Sequence, residues 1–170
     1  MSGRDFDFSA LVCPETESEL DVLNDQLLDV DEQAYGGWRR QDGRYKDVLR
    51  RKGGVLCAKN QDRIIAHLVW ERPSDDEESK HPDNIALPNS VHVFTLVVLP
   101  EFQRKGLGMS LLDLFMRQVA CHHFEHVSLY CRWNNLPALK LYLRFGFAFQ
   151  KAFADKYGLG THAFLMSMRV

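Results

Sequence analysis

No run in this 170-residue chain approaches the roughly 18 to 20 apolar residues needed to span a bilayer, and the N-terminus carries no charged-then-apolar leader pattern. An excess of basic charge is missing as well. Lys and Arg number 21 against 23 Asp and Glu, a net charge of -2, and the pI lies near 6.4, which excludes an ordinary nucleic-acid binder with its basic face. Cysteine is scarce: Cys13, Cys57, Cys121 and Cys131 are dispersed without C-x-x-C spacing and read as reduced, mostly buried thiols. His122, His123 and His126 end a helical pattern with no cysteine or acidic partner set beside them, so no metal site is expected. With 45% hydrophobic and 26% charged residues, the chain is expected to form one domain over residues 1–170, cytoplasmic or nucleocytoplasmic, without nucleic-acid or membrane partners.

What the chain does contain is a strand that runs into a glycine turn and out into a helix. The apolar run from Phe94 to Leu99 leads to Gln103-Arg104-Lys105-Gly106-Leu107-Gly108, and a helical pattern from Met109 to Ala120 follows. Glycine lets the backbone approach a ligand closely, and successive N–H groups together with the positive end of a helix dipole favour phosphate. Arg104 and Lys105 add positive charge there. The third glycine of G-x-G-x-x-G and the G-K-[ST] ending of the common nucleotide loops are both absent.

The remaining pattern predicts an alternation of helices and strands. A strand from Phe6 to Val12 precedes a helix opened by Pro14 and the acidic Glu15, Glu17, Glu19 and Asp21, with Leu20, Leu23, Leu27 and Val30 on one face. A short helix over about Asp42 to Lys52 leads to a hairpin, Val55 to Lys59 and Arg63 to Glu71, turned at Asn60-Gln61-Asp62. The basic residues Arg39, Arg40, Arg44, Lys46, Arg50, Arg51 and Lys52 read as a solvated face. Residues 73–90 hold Asp75, Asp76, Glu77, Glu78 and Asp83 and predict an exposed acidic loop. A strand from Val91 to Leu99 feeds the glycine turn, and the next helix aligns Leu111, Leu112, Phe115 and Val119. A strand from His126 to Cys131 follows. Asn135 then starts a helix with Ala138, Leu141, Tyr142 and Phe145 on one face and Gly146 at its end. Phe147 to Ala154 and His162 to Arg169 predict a final strand pair.

Two of these segments resemble the hallmark segments of the GNAT superfamily of acyl-CoA-dependent N-acyltransferases. Gln103 to Gly108 is similar to the Q/R-x-x-G-x-G/A loop, and Asn135 to Phe147 is similar to the N-x-x-A-x-x-x-Y-x-x-x-G-F segment, about 30 residues downstream. The resemblance implies a single α/β (α+β) domain with a mixed, mostly antiparallel sheet of about seven strands and about four helices. It implies acetyl-CoA as co-substrate, no metal, direct attack by an amine in a ternary complex, and a monomer or homodimer. By the same resemblance the coenzyme is bound by Leu96, Val97 and Val98, by Gln103, Arg104, Lys105, Gly106, Leu107, Gly108 and Met109, and by Asn135, Ala138 and Tyr142.

Acetyl transfer to an amine needs an uncharged amine, a polarised thioester carbonyl and a proton for the departing thiolate. A histidine, titrating near 6.5 when unperturbed, suits the first task. His92 is the candidate, on the strand that feeds the loop. Its position resembles that of the first histidine in the H-x-H pair of arylalkylamine N-acetyltransferases, with Phe94 where the second would stand, and that of a catalytic tyrosine in one type of N-terminal acetyltransferase. Tyr142 matches the tyrosine assigned as general acid in the family, and the unperturbed tyrosine pKa of about 10 is close to that of an alkyl thiol. The backbone N–H groups of Leu96 to Val98 are expected to hold the oxyanion. On the acceptor side the residues are Phe94, Tyr130 and Tyr157. Tyr130 stands where ribosomal-protein and related N-terminal acetyltransferases usually carry Glu or His, which turns the expectation toward a small primary amine, such as an arylalkylamine or polyamine. A peptide or protein amine is the alternative, supported by the likeness of Asp155 to Met166 to the C-terminal hairpin of such enzymes. A non-catalytic acyl-CoA-binding domain is a third reading, against which the intact Tyr142 stands.

Overall fold

The computed structural model describes residues 6–11, 16–36, 44–50, 53–72 and 89–170. Among them the chain runs β1 (Asp7–Leu11), α1 (Glu17–Ala34), α2 (Arg44–Arg50), β2 (Gly54–Asn60), β3 (Arg63–Glu71), β4 (Ser90–Val98), α3 (Leu107–Cys121), β5 (His126–Arg132), α4 (Leu136–Arg144), β6 (Ala148–Phe153) and β7 (Ala163–Arg169). The strands form one seven-stranded sheet in the order β1-β2-β3-β4-β5-β7-β6. It is mixed: β4 pairs with β5 in parallel, whereas β1–β2, β2–β3, β5–β7 and β6–β7 pair antiparallel. The expected element order and sheet are those observed.

Two compact units divide the chain, one of residues 1–71 and 95–117, the other of 72–94 and 118–170, so β4 passes from the second into the first between Phe94 and Thr95. In the first unit α1 begins with a capping box. Thr16 Oγ1 accepts from Glu19 N at 3.2 Å and Glu19 Oε2 accepts from Thr16 N at 3.1 Å. The helix buries Leu20, Leu23, Leu27, Leu28 and Val30. Each such side chain contributes about 1.5–3 kcal/mol, so apolar burial outweighs the cap, worth about 1 kcal/mol. Gly54 starts β2 because the Trp70 indole lies where its Cβ would be. Gln61, at φ 56, turns the β2–β3 hairpin as the polar Asn60-Gln61-Asp62 pattern requires.

In the second unit β5 alternates strictly: Val127, Leu129 and Cys131 are buried, while His126, Ser128, Tyr130 and Arg132 are half-exposed. Helix α4 is capped by Asn135, whose Oδ1 accepts from Ala138 N at 3.3 Å. At its other end Gly146 takes φ +96 and Phe147 N donates to Tyr142 O at 3.1 Å, a left-handed glycine stop.

Some expectations need correction. Ser90, placed in the acidic loop by composition, is buried and opens β4, because its backbone pairs opposite His126; residues 73–88 of that loop lie outside the described residues. Helix α3 begins at Leu107 rather than Met109, since Ser110 N already donates to Gly106 O at 3.0 Å. On α4 the buried positions are Leu139 and Tyr142, with Ala138, Leu141 and Phe145 only partly covered. Of the cysteines, Cys57 and Cys131 are buried, Cys121 is exposed and Cys13 lies outside the described residues. In the basic segment Lys46 pairs with Asp21 and Arg50 with Glu17, in keeping with a solvated face; Arg39, Arg40, Arg51 and Lys52 lie outside the described residues. Among the described residues no helix is long and apolar enough to cross a membrane.

The first unit is fastened by three fully buried polar side chains, one each from α1, α2 and β3. Tyr45 OH donates to Asp31 Oδ2 at 2.6 Å and lies 3.2 Å from His67 Nε2, which is 3.4 Å from Asp31 Oδ1. Tyr45→Phe keeps the ring and deletes the hydroxyl. It should cost about 1–3 kcal/mol, read as a lower urea midpoint at unchanged slope.

Candidate active site

The glycine turn belongs to the first unit. Leu99 is anchored by its N–H on Ile65 O at 2.9 Å, Pro100–Phe102 make one 3-10 turn, and Gln103 Nε2 donates back to Val98 O at 3.1 Å. Arg104 and Gly106 both take left-handed φ, 58° and 87°, which reverses the chain into α3. Arginine in this region is uncommon and signals a backbone held by its surroundings. Lys105 supplies one hold: its Nζ donates to Glu101 O and sits 4.7 Å over the Phe102 ring. A Cβ at Gly106 would meet no atom within 4 Å, so the loop presents bare backbone to open space. The first N–H groups of α3 have no acceptor inside the helix. Strand residues Leu96, Val97 and Val98 lead into this turn, with Leu107 buried behind it and Gln103, Arg104, Lys105 and Met109 exposed.

A second group lies in the other unit, on one face of the sheet. The parallel register sets His92 opposite Ser128, and the two-residue period puts Tyr130 and Arg132 on the same side. His92 is only 7% exposed; its Nδ1 shares a 2.9 Å hydrogen bond with Ser128 Oγ, and its ring centroid is 5.4 Å from that of Tyr130. On the neighbouring strands Tyr130 faces Leu165, and Phe153 faces Ala163, which faces Arg132; the rings of Tyr130 and Phe153 meet edge to face at 5.6 Å. The hairpin after β6 then brings Lys156 back, its Nζ 3.8 Å from the Tyr130 centroid and 5.2 Å from that of Phe153. Arg132 lies 5.4 Å over Tyr157, which is 41% exposed. The hairpin is held by Asp155 Oδ1, accepting from Gly160 N at 2.6 Å, and by Asp155 N, donating to His162 Nδ1 at 3.1 Å.

Of the residues singled out from the sequence, His92 and Tyr130 come together. Phe94, half-exposed, is two residues along from His92, and Tyr157 closes the outer edge through Arg132. Tyr142 is placed by α4, buried to 6% exposure with its ring against Phe147 at 5.8 Å. The side-chain oxygen of Asn135 is engaged as the helix cap one turn earlier. His67 belongs to the buried polar trio and His162 to the hairpin turn, the structural roles their positions imply. Sequence reasoning missed Ser128, Phe153 and Lys156. Ser128 could be found only through the parallel register. Lys156, next to a tyrosine in a glycine-bounded hairpin, carried a visible but unspecific signal. Among the described residues no group of three or more His, Cys, Asp and Glu is arranged to hold a metal.

Residues 19–147 match the family model described as acetyltransferase (GNAT) family. An N-alpha-acetyltransferase of Sulfurisphaera tokodaii is 35% identical over 77 residues, which is 45% of this chain and 46% of that protein. The chain thus spans less than half the length of the curated relatives it matches. Among solved structures it is similar to the ribosomal-protein-S18-alanine N-acetyltransferase from Escherichia coli, with a TM-score of 0.74 at 15% identity over 98% of this chain and 94% of that one. It is also similar to a GNAT family acetyltransferase from Elizabethkingia anophelis with acetyl-CoA bound, at TM-score 0.64 and 15% identity, covering 97% and 98% of the two chains. At such identities the likeness is one of fold. The family match ends at Phe147, so Phe153, Lys156 and Tyr157 lie beyond it.

The alternation of β5 has a direct chemical readout. Burial pushes the Cys131 thiol, on the covered face, and Cys57 up to about 12, whereas Cys121 is exposed. Only the thiolate alkylates, so a reagent at pH 8 should mark Cys121 and spare Cys57 and Cys131 in the folded protein, checked by peptide mass mapping. Rapid labelling of Cys131 would contradict the assignment of faces on β5.

Proposed function

Because the chain belongs to the acetyltransferase (GNAT) family and is an acyltransferase, we propose that it moves an acetyl group from acetyl-CoA to the α-amine of a peptide or protein N-terminus. The observation that carries this choice of acceptor is the Lys156 ammonium 3.8 Å from the Tyr130 ring in the group around His92. A fixed cation repels an acceptor that arrives fully protonated. At pH 7.4 about a quarter of an α-amine is neutral, against about one part in a thousand of an alkylamine or polyamine. The names of the matched relative, an N-alpha-acetyltransferase, and of the Escherichia coli neighbour, a ribosomal-protein-S18-alanine N-acetyltransferase, support the same acceptor. The small amine expected from the sequence therefore takes second place.

In this reading the loop from Gln103 to Met109 receives the pyrophosphate. The open Cβ space and left-handed φ at Gly106 fit that role, because bare N–H groups can close on the phosphates. When bound, the coenzyme supplies an acetyl thioester, an activated acyl group with a thiolate leaving group. Backbone N–H groups of Leu96 to Val98 polarise its carbonyl, and Asn135 and Ala138 lie along the pantetheine arm. His92, oriented through Nδ1 by Ser128, takes the proton from the attacking amine. Tyr142 gives its proton to the sulfur as the carbon–sulfur bond breaks. Phe94, Tyr130 and Tyr157 contact the acceptor.

The test is turnover of acetyl-CoA with short peptides, arylalkylamines and polyamines, measured as thiol release with product mass and site of acetylation. Peptide α-amines should outpace every alkylamine; turnover on small amines alone would overturn the proposal. Tyr142→Phe should lower kcat about 10²-fold or more while coenzyme affinity is nearly kept. An unchanged kcat would remove Tyr142 from the chemistry.

A further inference from the structure

The charge of this chain is sharply divided. Residues 126–170 hold six Lys and Arg, at 132, 140, 144, 151, 156 and 169, and a single acid, Asp155. They are therefore net +5 in a chain of net -2. Asp155 is used within its own turn, its Oδ1 accepting from Gly160 N at 2.6 Å and lying 3.6 Å from His162 Nδ1. Three of the six cations gather on the face that carries His92, each set on an aromatic ring. Lys156 lies on Tyr130, Lys151 is 4.6 Å over Phe153, and Arg132 is 5.4 Å over Tyr157. A cation over an aromatic face keeps its charge while its position is narrowed.

We propose that this basic and aromatic cluster selects acceptor N-termini whose second residue is Asp or Glu, with Lys156 as the principal specificity-determining residue. The proposal rests on the peptide-amine reading above. The spacing sets how far such a carboxylate has to reach. The separations of 5.4 Å from His92 to Tyr130 and 3.8 Å from Tyr130 to Lys156 bound the distance from imidazole to ammonium at about 9 Å. An extended chain advances about 3.3–3.6 Å per residue. With the α-amine at His92, a carboxylate on the second residue can span that distance, and Arg132 and Lys151 reinforce the field around it. A basic second residue meets repulsion from all three.

The experiment uses the full chain, acetyl-CoA and four peptides identical except for Glu, Gln, Ala or Lys as the second residue. It measures kcat/KM by thiol release and locates the acetyl group by mass spectrometry. The Glu peptide should exceed Gln by about tenfold and Lys by more, chiefly through KM, and the preference should shrink between low and high salt. Lys156→Gln should reduce the Glu preference to about threefold, Lys156→Glu should reverse it, and Arg132→Gln should weaken it without reversal. Equal rates on all four peptides, or a preference untouched by Lys156→Glu, would overturn the inference while the peptide-amine reading stands. Silence on every peptide beside turnover of small amines would overturn both.

Discussion

The parallel pairing of β4 with β5 is the constraint on which the candidate site depends. Two parallel strands cannot be joined by a tight turn, so the chain must travel back before β5 can begin. Here residues 99–125 make that return, through the glycine turn and α3. The requirement places a helix N-terminus at the carboxyl end of β4, where oriented N–H groups can meet an anion. The same pairing fixes the register of His92 opposite Ser128. A slip of one residue would turn His92 and Tyr130 away from each other and bury the wrong face of β5. One pairing thus underlies the turn after β4 and the placement of the imidazole within its own sheet.

The chemistry assigned to that face is consistent with its electrostatics. An amine attacks only when neutral, and cations nearby lower the pKa of an ammonium as well as repelling it. In the proposed reading Lys156, Lys151 and Arg132 favour acceptors that lose a proton easily, and penalise those that cannot. An acceptor carboxylate one residue further along is the natural counter-ion. In the proposed reading acceptor chemistry and acceptor sequence follow from one arrangement of charge, in which Lys151 and Lys156 lie beyond the family match and Arg132 within it.

Elsewhere the chain accepts polar burial for positional accuracy. Asp31, Tyr45 and His67 are fully buried, and the hydrogen bonds centred on the Tyr45 hydroxyl offset part of the cost of burying them. An apolar trio would tolerate sliding between α1, α2 and β3, whereas hydrogen bonds of fixed direction do not. The Trp70 indole on Gly54 adds a steric lock, since no other residue fits beneath it.

Periodicity, turn chemistry and two short motifs were enough to read the fold from the sequence. Alternation marked the strands, Pro14 with the acidic residues after it and Asn135 marked helix starts, Gly146 marked a helix end, and Gln103 to Gly108 marked the loop. Such signals are local: each depends on the conformational preferences of a few neighbouring residues, so it survives in one dimension. The boundary at Ser90 and the buried edge of α4 were not legible, because pairing and packing partners decide them. Nor was the partnership of His92 with Ser128, 36 positions apart, or of Tyr130 with Lys156, since strand register and hairpin return are properties of the closed sheet. The sequence by itself determined which chemical groups the protein has and which local elements bear them. Tertiary structure decided which of those groups meet, because only long-range pairing can set a histidine, a serine, a tyrosine and a lysine on one face.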